Sequence, residues 1–407
     1  YIKNDYTFIH NLLQITGKKI YQPFIDKKND IVCIYNGEIY NYNQKKYESD
    51  GQSIIDFYKK YNNDFIQYLD GEFAICLVDF KKNKIIFSSD VFSTKPLFYS
   101  INDKYIGISS YYSSLNRLKF KDIKKMPANT TFIYNSNNLE FLEKKKVYTF
   151  DIKQYKTNLN DIFKKLEESI IKRCTNINKK IFLGLSSGYD SGCINCILNK
   201  FNIEHTIYTI EGSENIDILK KRHKIHKFNK EYIINEKKNF DYYKNYIIKN
   251  CEYYNYIRSG SIYKDPASSG LALICDKAVK KKELIYISGQ GSDEIISDYS
   301  INGKNCGSSN STCFNGKFPN DLKEIFPWSN FFGRMQIDYL MKEELVSGTF
   351  GIEGRYPYLD KEFVQEFLWL TPELKNKDYK YILAKYMKDN NYPFVHEKQG
   401  FRANWGI

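Results

Sequence analysis

The chain has 407 residues, 42% apolar and 27% charged, which supplies material for sizeable cores and excludes a collagen, a disulfide miniprotein and a wholly disordered chain. That length fits two domains, with three open. Lys and Arg outnumber Asp and Glu by 61 to 48, a net charge of +13, but Lys, Asn, Ile and Tyr crowd the chain in the manner of an AT-rich genome, so part of that charge reflects codon usage and not a partner.

No apolar run of about 18 residues occurs, so no membrane-spanning helix is predicted. No signal peptide opens the chain, which begins at Tyr1 and is expected to be part of a longer product. The nine cysteines are an odd number set mostly in apolar stretches, which fits reduced thiols in the cytoplasm. Cys193 and Cys196 form a C-x-x-C inside a helical pattern, without a second pair at zinc spacing; it reads as a packed helix face.

In chain order, Asp30–Tyr35 is an apolar strand ending at Asn36-Gly37, and Ser53–Tyr61 has helical spacing. Gly71–Asp79 and Lys84–Ser88 read as strands joined by a turn at Lys81-Lys82-Asn83. Phe98–Ile101 and Tyr105–Ser109 form a further hairpin. Hairpins with few helices between them predict antiparallel sheets in two layers. From Leu159 the pattern changes. Leu159–Arg173 is an amphipathic helix, and Lys180–Leu185, Glu204–Ile210 and Ile285–Ser288 are strands alternating with helices at Gly192–Lys200 and Gly270–Lys280. That alternation predicts a doubly wound parallel sheet. The last hundred residues read mostly helical, and Asn302–Lys317, rich in Gly, Ser and Asn, reads as a mobile loop or insertion. The expected domains are residues 1–150 and 151–407.

The strongest chemical signal is Leu185-Ser186-Ser187-Gly188-Tyr189-Asp190-Ser191, which leaves an apolar strand and opens a helix. Small residues let backbone N–H groups approach a polyanion, and the helix N-terminus adds partial positive charge. Asp190 offers a carboxylate to a magnesium ion. A second turn, Ser288-Gly289-Gln290-Gly291-Ser292-Asp293-Glu294, also follows an apolar strand. In a doubly wound sheet both turns converge on one crevice, where Asp190 and Asp293 would flank one triphosphate and its metal.

Taken together, the motifs resemble the asparagine synthetase family, whose relatives include the β-lactam synthetases. Asn36-Gly37-Glu38-Ile39-Tyr40-Asn41, Ser49-Asp50, Leu69-Asp70-Gly71-Glu72-Phe73-Ala74 and Lys95-Pro96-Leu97-Phe98-Tyr99 are similar to that family's glutaminase stretches. The turns at 186–191 and 288–294, Ile352 to Asp360 and Lys398-Gln399-Gly400-Phe401 are similar to its synthetase motifs, in the same order. The resemblance implies an Ntn-type, class II glutaminase-like α+β domain over 1–150, lacking the segment with its nucleophile, then an α/β ATP-pyrophosphatase domain over 151–407. It implies an AMP-forming ligase that uses ATP and Mg2+, activates a carboxylate as an acyl-adenylate and lets an amine attack it. In the family the carboxylate is aspartate, and the amine is ammonia that glutamine releases and an internal tunnel carries.

Residue by residue, the resemblance implies ATP and pyrophosphate binding by Leu185, Ser186, Ser187, Gly188, Asp190, Ser191, Ile210, Ser288 and Gly289. It implies metal binding by Asp190 and Asp293, catalytic roles for Lys398 and Glu353, and glutamine binding by Asn36, Glu38 and Asp50. A homodimer is among the assemblies left open.

Four departures stand out. The family's nucleophilic cysteine sits at a mature N-terminus upstream of where this chain aligns. Leu12 stands where an arginine would clamp glutamine's carboxylate, although Lys18 and Lys19 lie close in sequence. Gln290 stands where asparagine synthetases carry a glutamate that can accept a proton. Ser187 replaces a loop glycine. A diverged ligase using another amine or another carboxylate therefore stands beside the glutamine-dependent synthetase. An inactive binding or scaffold protein and a tRNA-modifying adenylating enzyme are readings of another class, though dispersed basic residues argue against a nucleic-acid partner.

Overall fold

The computed structural model describes residues 1–212, 214–233, 237–257, 259–301, 304–305 and 311–395. The chain divides into two compact units, one of residues 1–149 with 176–178, the other of residues 150–175 with those from 179 onward.

The first unit is antiparallel. Besides a short pair at Ile2–Lys3 and Tyr6–Thr7, its strands are β1 (Phe24–Asp26), β2 (Ile31–Ile39), β3 (Gly71–Asp79), β4 (Lys84–Ser89), β5 (Phe98–Ile101), β6 (Ile106–Ser109), β7 (Lys124–Lys125), β8 (Thr130–Asn135) and β9 (Phe141–Lys146). Six of them form a sheet in the order β9-β8-β4-β3-β2-β1, and three form a second in the order β6-β5-β7. Cys76 faces Phe87 and Val78 faces Ile85 across β3 and β4. With Val32 and Ala74 they meet Leu97, Met126, Tyr99 and Ile101 from the region of the second sheet, so the core lies between two layers, as expected. The alternate residues Cys33, Leu77 and Ile86 are also buried, on the other face, where helix α1 (Ser53–Tyr61) packs on β2. A strand covered on both faces needs a continuous apolar run, and β3 has one.

Strand β2 does not stop at Asn36-Gly37 as the sequence suggests; it continues to Ile39, with Gly37 opposite Phe73 and Glu38 opposite Glu72. Gly37 has φ +131°, and a Cβ there would lie 1.9 Å from the Glu72 carbonyl oxygen. The glycine marks a close strand crossing and not a turn.

The second unit is α/β. Its elements are α2 (Asn160–Lys172), β10 (Lys180–Gly184), α3 (Tyr189–Lys200), β11 (Thr206–Ile210), α4 (Ile216–Ile225), β12 (Lys230–Ile233), α5 (Lys237–Asn250), α6 (Pro266–Lys280), β13 (Glu283–Ile287), α7 (Arg334–Thr349), β14 (Glu353–Arg355), α8 (Lys361–Trp369) and α9 (Tyr381–Asp389). The sheet is parallel, in the order β12-β11-β10-β13-β14. The order reverses direction between β10 and β13, which puts the crossover helices of the two halves on opposite faces and opens a crevice at those two strand ends.

Two helices begin one turn earlier than periodicity indicated. Helix α6 starts at Pro266 because Asp265 caps it, accepting from the Ala267 N–H at 2.9 Å. Helix α3 starts at Tyr189 directly after Gly188. Cys193 and Cys196 are buried within α3, and burial raises both thiols, Cys196 to about 12. In the segment Asn302–Lys317, residues 302, 303 and 306–310 lie outside the described residues. Its later part is anchored: buried Asp298 accepts from Thr312 Oγ1 at 2.6 Å and from the Cys313 and Phe314 N–H groups at 2.7 Å.

Substituting Gly37→Ala forces a side chain into the Glu72 carbonyl and a strained φ, and is expected to destabilise the first unit by more than about 2 kcal/mol. Chemical denaturation would measure it; a loss below about 0.5 kcal/mol would contradict the close crossing.

Candidate active site

The first loop is built by serine. Ser191 Oγ accepts from the Ser186 N–H at 3.0 Å and lies 2.9 Å from Ser186 Oγ, which accepts from the Gly188 N–H at 3.1 Å. The adjoining strand ends lock the loop base, with Leu185 N–H donating to the Tyr208 carbonyl at 2.8 Å and Thr209 Oγ1 to the Leu185 carbonyl at 2.9 Å. The Ser187 N–H donates to Glu214 Oε2 at 2.7 Å, the Ser187 hydroxyl donates to the same oxygen, and the Asn215 N–H donates back to Ser187 Oγ. A loop amide that already holds a carboxylate oxygen has the chemistry to hold an oxyanion. The serine at this position fits the backbone and recruits Glu214.

The second loop leaves β13 beside it. The Ser288 N–H donates to the Arg355 carbonyl at 2.9 Å, and the Gln290 N–H donates to Ser288 Oγ at 3.0 Å. A Cβ added to Gly289 would fall 2.9 Å from the Asp190 Cβ, so the two loops lie side by side. Ile210 is buried at the end of β11, on the other side of β10.

Between the loops sits a residue that the sequence reading missed. Lys380, only 2% exposed, places its Nζ 2.6 Å from Asp190 Oδ1 and 2.9 Å from Asp293 Oδ1. Tyr379 donates to Asp293 Oδ1 at 2.7 Å, and Tyr358 donates to the Asp190 carbonyl at 2.8 Å. Burial works against the Lys380 charge, but the two carboxylates outweigh it and hold the ammonium protonated above its ordinary value. Lys380 takes φ +48° just ahead of α9, a left-handed conformation that costs a non-glycine residue about 1–2 kcal/mol and that the ion pairs offset. Its only sequence signal was a lysine ahead of an amphipathic helix.

Asp190 and Asp293 thus converge on one cation. Hard carboxylate oxygens that share a cationic partner suit Mg2+, which keeps several waters and binds through one or two carboxylates plus phosphate. Among the described residues no cluster of three or more metal-ligating acids, histidines or cysteines occurs, so the remaining ligands would come from water and phosphate. Glu353 sits on β14 opposite Ile285 and accepts from Arg355 Nε at 2.7 Å, an ion-paired carboxylate set back from the strand end. Lys398 lies outside the described residues.

Two buried acids stand near the second loop. Tyr299 donates to Glu294, and burial together with Asp293 pushes the Glu294 carboxyl up to about 7. Burial likewise pushes Glu343 up to about 7.

In the first unit, Asp50 is 3% exposed and its carboxylate is stitched to β2. Oδ2 accepts from Tyr35 Oη at 2.5 Å and from the Ile39 N–H at 2.9 Å, while Oδ1 accepts from Ser49 Oγ at 3.2 Å. Burial, then Asp50 and Glu38, raise the Tyr42 phenol, so both carboxylates lie around that ring. Asn36 is exposed on the same strand. Lys18 donates to Glu48 at 2.6 Å and Lys19 lies over the Tyr21 ring.

Two family models match the chain. A glutamine amidotransferase domain model covers residues 1–159 and an asparagine synthase model covers residues 328–405. A Methanocaldococcus jannaschii protein assigned by name to the glutamine-hydrolysing asparagine synthetases is 24% identical, over 90% of this chain and 69% of its own length. The Gallus gallus glutamine-hydrolysing asparagine synthetase is 25% identical, over 91% of this chain and 71% of its own. Among solved structures, the glutamine phosphoribosylpyrophosphate amidotransferase from B. subtilis aligns at 13% identity over 40% of this chain and 43% of its own, with a TM-score of 0.26, too low to carry an argument. The resemblance to asparagine synthetases holds across the chain and is not confined to short motifs. Among the described residues no helix is long and apolar enough to cross a membrane.

The buried acids give a pH signature. A carboxyl ordinarily at 4.5 and raised to about 7 in the fold binds more protons folded than unfolded across that window. Its contribution is full below 4.5 and is lost as pH rises towards 7, at up to roughly 1.4 kcal/mol per pH unit. Glu343→Gln should flatten the fall in stability between about pH 5 and 7. Urea unfolding at both ends of that window is the measurement, and a slope equal to that of the unmodified protein would refute the buried, proton-retaining Glu343.

Proposed function

We propose that this chain, a relative of the asparagine synthetases, is an ATP-dependent, AMP-forming amide ligase that activates a carboxylate as an acyl-adenylate. The observation that carries the reading is the pair of abutting loops at the switch point, joined by Lys380 between Asp190 and Asp293. The Ser187 N–H, which holds the Glu214 carboxylate in this structure, passes to the triphosphate, and Ile210 and Gly289 border adenine. The substrate carboxylate attacks the α-phosphorus, the bond to the β-phosphate oxygen breaks, and pyrophosphate leaves. Lys380 neutralises the charge that gathers on that leaving group, and Lys398 follows charge in the same step or in the second one. Mg2+ held by Asp190 and Asp293 would supply charge neutralisation when bound. An amine then attacks the acyl carbon, AMP departs, and an amide remains. The names of the relatives favour aspartate as the carboxylate.

Asp190→Ala and Asp293→Ala should each cut carboxylate-dependent ATP–pyrophosphate exchange by at least about 100-fold, with folding intact by circular dichroism. Near-normal exchange in both variants would remove the assignment.

Two residues favour a variant of this reading in which glutamine is a poor nitrogen donor. Leu12 supplies no cation for glutamine's carboxylate, and Lys18 is engaged by Glu48. Gln290 accepts no proton from an incoming amine. Losing one charge-assisted pair costs roughly 1.5–3 kcal/mol, about 10- to 150-fold in affinity. Product formation with glutamine, ammonia and other amines at equal concentration, in the full gene product, should rank glutamine below ammonia. Efficient glutamine-driven synthesis with matching glutamate release would reverse that ranking.

A further inference from the structure

Directly behind the first loop lies a guanidinium that no motif predicted. Arg222, on α4, is 0% exposed. Its Nη1 donates to the Ser186 carbonyl at 2.5 Å and to the Gly188 carbonyl at 2.9 Å, and its Nε donates to the Pro393 carbonyl at 3.0 Å. Nη2 lies 3.9 Å from Met387 Sδ, and the group stacks 5.2 Å from the centre of the Tyr392 ring. Tyr392 is fixed in turn by Asn195 Nδ2 at 2.7 Å, and Asn195 by His205 at 2.8 Å.

Space for this side chain is made by one residue. A Cβ on Gly192, in the first turns of α3, would come within 2.4 Å of Arg222 Nη2. The glycine and the arginine are therefore a fitted pair.

The charge is the unusual part. Arg222 takes part in no ion pair among the described residues; its hydrogen-bond partners are neutral carbonyls and a thioether. A buried cation is costly unless an anion offsets it. Glu214 is the nearby acid, and its carboxylate is engaged by Ser187 on the loop. When the carbonyls of Ser186 and Gly188 are pulled inward onto a cation, the amide dipoles of the loop are polarised towards the opposite, ligand-facing side.

We propose that Arg222 is a positioning residue for the polyphosphate site: it fixes the carbonyls of the first loop and its buried charge is completed by the bound pyrophosphate moiety. The inference rests on the nucleotide reading above and adds a specific consequence. Ligands that carry β- and γ-phosphates depend on Arg222, and the nucleoside alone does not.

The test is calorimetric titration of the full chain with inorganic pyrophosphate, ATP and adenosine, for the unmodified protein, Arg222→Met and Arg222→Lys, below the lowest melting temperature of the three. Arg222→Met should weaken pyrophosphate and ATP by at least about 10-fold and adenosine by less than about 2-fold. Arg222→Lys keeps the charge but loses the fork, and should recover part of the pyrophosphate affinity. In exchange assays Arg222→Met should raise the KM for ATP more than it lowers kcat. If Arg222→Met does not fold, Arg222→Lys carries the comparison, and an unchanged ratio of pyrophosphate to adenosine affinity overturns the proposal. Pyrophosphate binding to Arg222→Met as tight as to the unmodified protein, or equal losses for pyrophosphate and adenosine, also overturns it. An unmodified protein that binds neither ATP nor pyrophosphate overturns the nucleotide reading itself, and this inference with it.

Discussion

The crevice of the α/β unit depends on one buried ammonium. Lys380 joins Asp190, from the loop after β10, to Asp293, from the loop after β13. Two carboxylates brought this close would repel each other, and each would lose hydration. The ammonium removes the repulsion and fixes the spacing between the loops. A backbone turn of unfavourable φ at Lys380 is sustained in return, and α9 begins directly after it.

Both loops are held from behind. Serine hydroxyls close the first loop on itself, and Thr209 and Arg222 fix its carbonyls. The Arg355 carbonyl anchors the start of the second loop, and Arg355 itself is buried against the Arg173 carbonyl at 2.6 Å. This is a common economy of α/β sites: strand ends are rigid because ladders hold them, so a few hydrogen bonds at the turn suffice to aim the amides. Asp50 in the antiparallel unit follows the same logic, its carboxylate saturated by Tyr35, Ile39 and Ser49.

Much of the fold is legible in the sequence. The hairpins between 71 and 109 and the strands at 180–185 and 285–288 alternating with helices announced an antiparallel unit followed by a parallel one, and both sheets are present. The two Ser/Gly turns with trailing acids were legible because small residues sit at fixed offsets from an apolar strand, and the two turns lie side by side. Asn36-Gly37 reads as the end of its strand although the strand runs on to Ile39, since a glycine with positive φ inside a strand leaves the same mark in the sequence as one that ends it. Lys380 and Arg222 were not legible at all. Each is one basic residue among 61, and nothing local distinguishes a buried cation from a solvated one.

The sequence by itself determined the order of elements, the two unlike sheets and the turns that can approach a phosphate, because these follow from periodicity and backbone sterics, which are local. Only the tertiary structure decided which charges are buried and what they face. Asp190 and Asp293 are 103 positions apart, and Lys380 is 87 beyond the second. Their meeting follows from the reversal of strand order between β10 and β13, a property of the whole sheet. The fit of Gly192 to Arg222 has the same origin, since a missing side chain on one helix acquires meaning only from what another helix puts into the space.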